Sequence, residues 1–224
     1  MELIIINQPR VYPRRLHYQN AKRMVDLVLC LFLIPVVIPV LLLCALAIFI
    51  DSGRPIVFLQ ERIGMGGRRI RIYKFRTMKA NIEQSNNYAF MKAYVRGEIT
   101  QSKTGNGTFK PLANNQITRV GRLLRRTSLD ELPQMINVLK GEMSIVGPRP
   151  NVPWEVDEYN PWHFERLEVL PGITGLAQVQ GRSSISFNSI VRYDINYIER
   201  QNLALDLKIL WWTVKSVFLS KGAE

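Results

Sequence analysis

The chain has 224 residues, and its 30 Lys and Arg outnumber 18 Asp and Glu to give a formal net charge of +12. That length suits one domain plus an appendage, and the charge requires an anionic partner: nucleic acid, acidic lipid headgroups or a phosphate-rich substrate. The two cysteines, Cys30 and Cys44, imply no disulfide framework, which sets aside the small disulfide-stapled secreted domains and fits a reducing compartment.

The first element in chain order is an uncharged run of 24 residues, Leu27 to Ile50. As a straight helix it would reach about 36 Å, enough to cross a bilayer, and it is too long for a cleavable signal peptide. Two features oppose a simple span. Pro35 and Pro39 each remove a backbone donor inside the run and favour a kink. Basic residues also flank both ends, Arg10 to Arg23 before it and Arg54, Arg62, Arg68, Arg69, Arg71, Lys74 and Arg76 after it. Spanning would send one cluster outward, against the positive-inside bias. A bent, re-entrant helix satisfies both flanks, so Pro35 and Pro39 are the expected membrane bend. Residues 1–53 are then the N-terminal segment with its membrane helix, and residues 54–224 form a domain on the cytoplasmic face.

Beyond the apolar run, Pro55 to Gln60 reads as a strand, Gly64 to Gly67 as a turn, and Arg69 to Arg76 as a second strand in which basic and apolar residues alternate. The polar stretch from Lys79 to Ile117 has no clear period and is expected to be a long loop. Helices are expected at Arg119 to Arg126 and at Ser128 to Lys140, the latter stopped by Gly141 and opened by a capping box, Ser128-Leu-Asp-Glu131. A strand ending at Gly181-Arg182 and two helices, about Phe187 to Glu199 and Leu203 to Leu219, complete an α+β, predominantly helical fold.

Asp130 and Glu131 stand in the expected first turn of a helix, where the dipole favours negative charge. Such a pair is ordinarily a capped, solvated turn. Here Arg119, Arg122, Arg125 and Arg126 precede it and Arg149 follows in a proline-braced segment. Guanidinium groups give planar two-point contacts to phosphate, and carboxylates can hold Mg²⁺. His17 and His163 are isolated and read as structural. Trp211 and Trp212, near Lys208, Lys215 and Lys221, fit either the headgroup level of a membrane or the core.

Five stretches, Tyr73 to Met78, Thr127 to Gln134, Asn137 to Ser144, Val146 to Pro150 and Pro171 to Gln178, resemble in order the bacterial sugar transferase family, the monotopic polyprenyl-phosphate phosphoglycosyl transferases. The resemblance runs from about Lys22 to Leu219 and is to the minimal catalytic form. It implies transfer of a sugar-1-phosphate from a UDP-sugar to polyprenyl (undecaprenyl) phosphate, with release of UMP. Asp130 matches the family's nucleophile and Glu131 the residue that holds Mg²⁺. Arg125, Arg149 and Arg182 match arginines around the phosphates or uridine, and Lys74 and Asp206 match other positions tied to activity. The implied setting is the bacterial inner membrane, in the first membrane step of polysaccharide or glycan assembly, and it allows a homo-oligomer. Ile38 stands before Pro39 where many relatives have Ser. Two rival readings remain at this point: a membrane-tethered nucleic-acid binder, for which no helix-turn-helix, zinc or aromatic RNA-binding pattern is present, and a non-catalytic partner that keeps the fold without turnover.

Overall fold

The computed structural model describes residues 15–79, 85–98, 116–181 and 185–218. Helix α1, Leu16–Ser52, is followed by an antiparallel hairpin of β1, Val57–Ile63, and β2, Arg69–Phe75. Then come α2, Ser85–Val95, and α3, Arg119–Thr127. A 3-10 turn, Leu129–Gln134, leads into α4, Met135–Lys140, and β3, Ser144–Val146. After α5, Pro153–Val156, and a second 3-10 segment, Pro161–Leu167, β4, Gly172–Thr174, pairs in parallel with β3. The chain ends on α6, Leu176–Gln180, α7, Phe187–Arg200, and α8, Leu203–Phe218. The fold is thus predominantly helical with small sheets, as the sequence leads one to expect.

Helix α1 is long and apolar enough to cross a membrane, and only 11% of its most apolar stretch is buried. It continues through Pro35 and Pro39. Its two halves dock on the same body of protein. In the first half Lys22 meets Asp206 at 3.0 Å, Arg23 donates to the carbonyls of Val138 and Leu139 at the end of α4, and Asp26 accepts from the Ile145 amide at 3.1 Å. Cys30 packs with Ile70, Ile72, Val138 and Met143. In the second half Cys44 and Ile48 pack with Phe75 and Leu124, and Asp51 accepts from the Val120 amide at 3.0 Å. Between them Leu31, Phe32, Val36, Leu42 and Leu43 are exposed.

The carbonyls at the end of α1 are taken up by one side chain. Arg76, 9% exposed, donates to the carbonyl oxygens of Ser52, Gly53 and Arg54. This corrects the charge count at the helix flank, because Arg76 caps a helix, and Arg62 and Lys74 also hold internal partners. Those three cations are therefore not part of an exposed cytoplasmic cluster.

Three local expectations change. The stretch from Lys79 to Ile117 contains α2, a helix without strong amphipathic period whose Tyr94 and Val95 are buried against Phe187, Val191 and Ile195. Tertiary packing, which a window of sequence cannot register, holds it. The capping box at Ser128 does not form. Ser128 ends α3 in the left-handed region, φ 58°, with its amide bonded to Arg125 O, and its side chain caps nothing. A single residue cannot both terminate α3 and adopt the extended geometry of a helix N-cap. The expected helix from Ser128 therefore opens as a 3-10 turn containing Pro133. The expected strand before Gly181 is instead α6.

The hairpin is fixed to α4 by Asn137, which is fully buried. Its amide nitrogen donates to Arg71 O at 2.8 Å and to Glu142 at 2.7 Å, and its oxygen accepts from the Tyr73 amide at 3.2 Å. Asn137→Ala leaves two strand groups without partners and should lower unfolding stability by about 1–3 kcal/mol, read by denaturant unfolding of the detergent-solubilised chain. A loss below about 0.5 kcal/mol would mean that water replaces the side chain without cost.

Candidate active site

The site is assembled where β2, the 3-10 turn and the loop after β3 meet. On β2, Ile70, Ile72 and Lys74 share the same parity, so the strand lays two apolar residues under α4 and its ammonium under the preceding turn. Lys74 Nζ meets Glu131 Oε1 at 2.8 Å, and Arg149 NH1 meets the same oxygen at 2.8 Å. Lys74 and Glu131 side chains are 13% and 17% exposed, whereas Arg149 is 44% exposed. One carboxylate oxygen thus holds a strand cation on its inner side and a loop cation on its solvent side.

The neighbouring carboxylate has no such clamp among the described residues. Among the described residues none hydrogen-bonds the half-buried side chain of Asp130. Arg125 approaches from the last turn of α3, oriented by a bond from its Nε to Thr77 Oγ1 at 2.9 Å. The position of α3 follows from close packing: Thr118 Oγ1 caps it through the Gly121 amide, and a Cβ at Gly121 would lie 2.2 Å from Thr77 O.

Electrostatics separates the two carboxylates. Burial alone would push the Glu131 carboxyl up, but Arg149 and Lys74 outweigh it and hold the group well below the usual carboxylate range. Burial, reinforced by the charge of Glu131, pushes Asp130 up, against the opposing pull of Lys74, Arg149 and Arg125. Lys74 is pushed down by burial and by Arg149, with Glu131 acting against them. The arrangement keeps Glu131 ionised and makes Asp130 the more basic carboxylate.

Of the residues singled out in the sequence, Lys74, Asp130, Glu131, Arg125 and Arg149 belong to this one constellation. Arg182 lies outside the described residues. Asp206 has a different place: 5% exposed, it accepts from Tyr18 OH at 2.8 Å, Lys22 Nζ at 3.0 Å and Tyr197 OH at 2.7 Å, and so ties α1 to α8. His163, fully buried, is bonded to Asn160 and Asn188 and has the structural role expected of it. The tryptophans divide, Trp211 being 68% exposed while Trp212 packs on the core containing Tyr197 and Ile209. Sequence reasoning passed over Thr77 as the orienting group for Arg125, although it lies inside a stretch already conspicuous for its basic residues.

Among the described residues no group of three or more His, Cys, Asp or Glu could hold a metal. Asp130 and the second oxygen of Glu131 supply two hard oxygen donors. That set suits Mg²⁺, which is commonly held by one or two carboxylates with substrate phosphates and water completing its shell. Arg125 and Arg149 can hold phosphate beside it.

Residues 17–220 match the family model described as bacterial sugar transferase. The chain is 40% identical over 191 residues to the galactosyl transferase CpsE of Streptococcus agalactiae serotype III, covering 82% of this chain and 40% of that protein. It is 36% identical over 203 residues to the uncharacterized sugar transferase EpsL of Bacillus subtilis, covering 91% of this chain and 90% of that protein. With the UDP-glucose:undecaprenyl-phosphate glucose-1-phosphate transferase of Caulobacter vibrioides it shares 38% identity over 210 residues, 90% of this chain and 71% of that protein. The chain thus spans less than half of CpsE but most of the other two. It belongs to the bacterial sugar transferase family.

Proposed function

We propose that this chain transfers a sugar-1-phosphate from a UDP-sugar to polyprenyl phosphate by way of a phosphosugar on Asp130. The observation that carries the reading is the division of labour in the carboxylate pair: Glu131 is clamped by Lys74 and Arg149, while Asp130, half-buried and raised in basicity, has no hydrogen-bond partner among the described residues. In the first step an Asp130 oxygen attacks the β-phosphorus, the bond from that phosphorus to the bridging oxygen breaks, and UMP leaves with the electron pair. In the second, an oxygen of polyprenyl phosphate attacks the same phosphorus and the Asp130 carboxylate leaves. Arg149 and Arg125 would hold the phosphoryl oxygens as charge develops on them. Bound Mg²⁺ would supply neutralisation of the diphosphate charge. Arg182 is assigned to the same nucleotide end on its match to the family pattern, and Asp206 to holding α1 in place.

We also propose that α1 enters and leaves the membrane on one face. The packing of Tyr18 to Cys30 and of Cys44 to Asp51 on a single domain supports this, since a bilayer cannot be inserted between the domain and itself. The exposed stretch from Leu31 to Leu43 would reach about 20 Å as a helix, short of the roughly 30 Å hydrocarbon core. The basic flank from Arg10 to Arg23 supports a catalytic domain on the cytoplasmic face of the inner membrane.

Asp130→Asn should lower UMP release by at least about 10³-fold and abolish the phosphosugar adduct seen by mass spectrometry, because an amide is a poor nucleophile at phosphorus. Near-normal turnover would exclude the covalent route. Turnover should also fall on acidification, as Asp130 takes up a proton, with a limb above the ordinary aspartate value of 3.8. A pH profile flat down to that value would contradict the burial of the nucleophile. Excess chelator should stop turnover of a UDP-sugar panel, and full activity in its presence would reject the Mg²⁺ site. For topology, a cysteine at Asn7, in a background with Cys30 and Cys44 changed to Ser, should resist an impermeant thiol reagent in intact cells. Strong labelling would require a spanning helix.

A further inference from the structure

The loop that carries Arg149 is held from both sides by guanidinium groups that contact neither Asp130 nor Glu131. Arg166, in the 3-10 segment Pro161–Leu167, donates to the carbonyl of Arg149 at 3.0 Å, to Asn151 Oδ1 and to Tyr159 OH at 3.0 Å. Asp194 on α7 faces it at 2.6 Å, and each of the two side chains is 2% exposed. Arg62 on β1 donates to the next carbonyl, Pro150 O, at 3.0 Å and to Gln60 at 2.7 Å. The start of the loop is fixed by the sheet, where Gly147 donates to Thr174 O and Gly172 to Pro148 O, each at 2.8 Å. A Cβ on Gly147 would lie 2.5 Å from Leu170 O, so only glycine allows this close approach of the two main chains.

A buried ion pair is a poor way to gain stability, since well-packed apolar residues of similar volume do as well or better. The value of this one lies in where its donors go. The planar fork of Arg166 reaches a main-chain oxygen, a side-chain amide and a carboxylate at once, which a lysine cannot do. We infer that Arg166, seated by Asp194, and Arg62 are positioning residues that fix the main chain of Arg149, so that its guanidinium meets Glu131 and faces the substrate diphosphate. This rests on the reaction proposed above. The side chain that touches substrate is Arg149, and Arg166 and Arg62 act through it.

The test compares Arg166→Lys in two backgrounds of the full-length chain in lipid nanodiscs, one otherwise unchanged and one carrying Arg149→Ala with residual UMP release. A positioning role predicts a loss in kcat/KM of about 10–100-fold in the first background, the scale of a small misplacement of a catalytic group, and less than about twofold in the second. Equal losses in both backgrounds, or no loss in the first, would overturn the proposal. If Arg166→Lys does not fold, Arg62→Lys in the same two backgrounds decides by the same criterion. Hydrogen exchange separates this idea from the reaction itself. Amides of residues 147–152 should exchange at least about tenfold faster in Arg166→Lys while α8 is unchanged. A chain that never releases UMP but shows that exchange would remove the reaction and keep the brace; unchanged exchange in 147–152 would remove the brace.

Discussion

The geometry of this site follows from one constraint: two adjacent carboxylates cannot share a partly dry space among cations on equal terms. Glu131 Oε1 takes both Lys74 and Arg149, and its charge then adds to burial in raising its neighbour. Asp130 is left in a field of cations with no hydrogen bond to any of them among the described residues. That is a useful state for the proposed nucleophile. Burial and the charge of Glu131 make it more basic than a carboxylate in direct contact with cations, while Lys74, Arg149 and Arg125 act against that rise.

That constraint is met only if three separate elements arrive in register. Lys74 comes from a hairpin that Asn137 fastens to α4, Glu131 from a 3-10 turn, and Arg149 from a loop whose carbonyls are taken by Arg166 and Arg62. The 3-10 turn matters in itself. Had Ser128 capped a regular helix, Glu131 would have been drawn back toward the Ser128 amide. The left-handed Ser128 ends α3 instead and leaves Glu131 to the two cations.

Much of this was legible in the residues and some was not, for identifiable reasons. The hairpin could be read because Arg69 to Ile72 alternates with a period of two, whereas the shift of phase at Tyr73 puts Lys74 on the face of Ile70 and Ile72. The cluster of Asp130, Glu131 and arginines could be read as a phosphate site because charge types are visible in sequence. Which carboxylate is clamped could not, since that depends on Lys74 lying 57 residues away along the chain. Helix α2 was hidden because its stability comes from Tyr94 and Val95 packing on α7, and Ser128 was misleading because its motif fits two incompatible ends at once. Arg166 and Asp194 give no local signal at all; each is an ordinary charge in its own segment until the fold brings them to 2.6 Å.

The apolar helix and the site are not independent modules. Cys30 packs on Ile70 and Ile72, Cys44 and Ile48 pack on Phe75, and Lys74 lies on the strand between those two contacts. The path of α1 between Cys30 and Cys44 therefore joins two contacts with β2 that lie on either side of Lys74. Pro35 and Pro39 stand in that interval, where the missing backbone donors make the helix easiest to bend. The docking of its first half through Lys22, Arg23 and Asp26 then does more than attach an apolar helix. It uses charge–dipole and hydrogen-bonded contacts, which are directional, to fix the angle at which the apolar part leaves the domain. Apolar packing alone would let that angle drift, and with it the strand that carries Lys74.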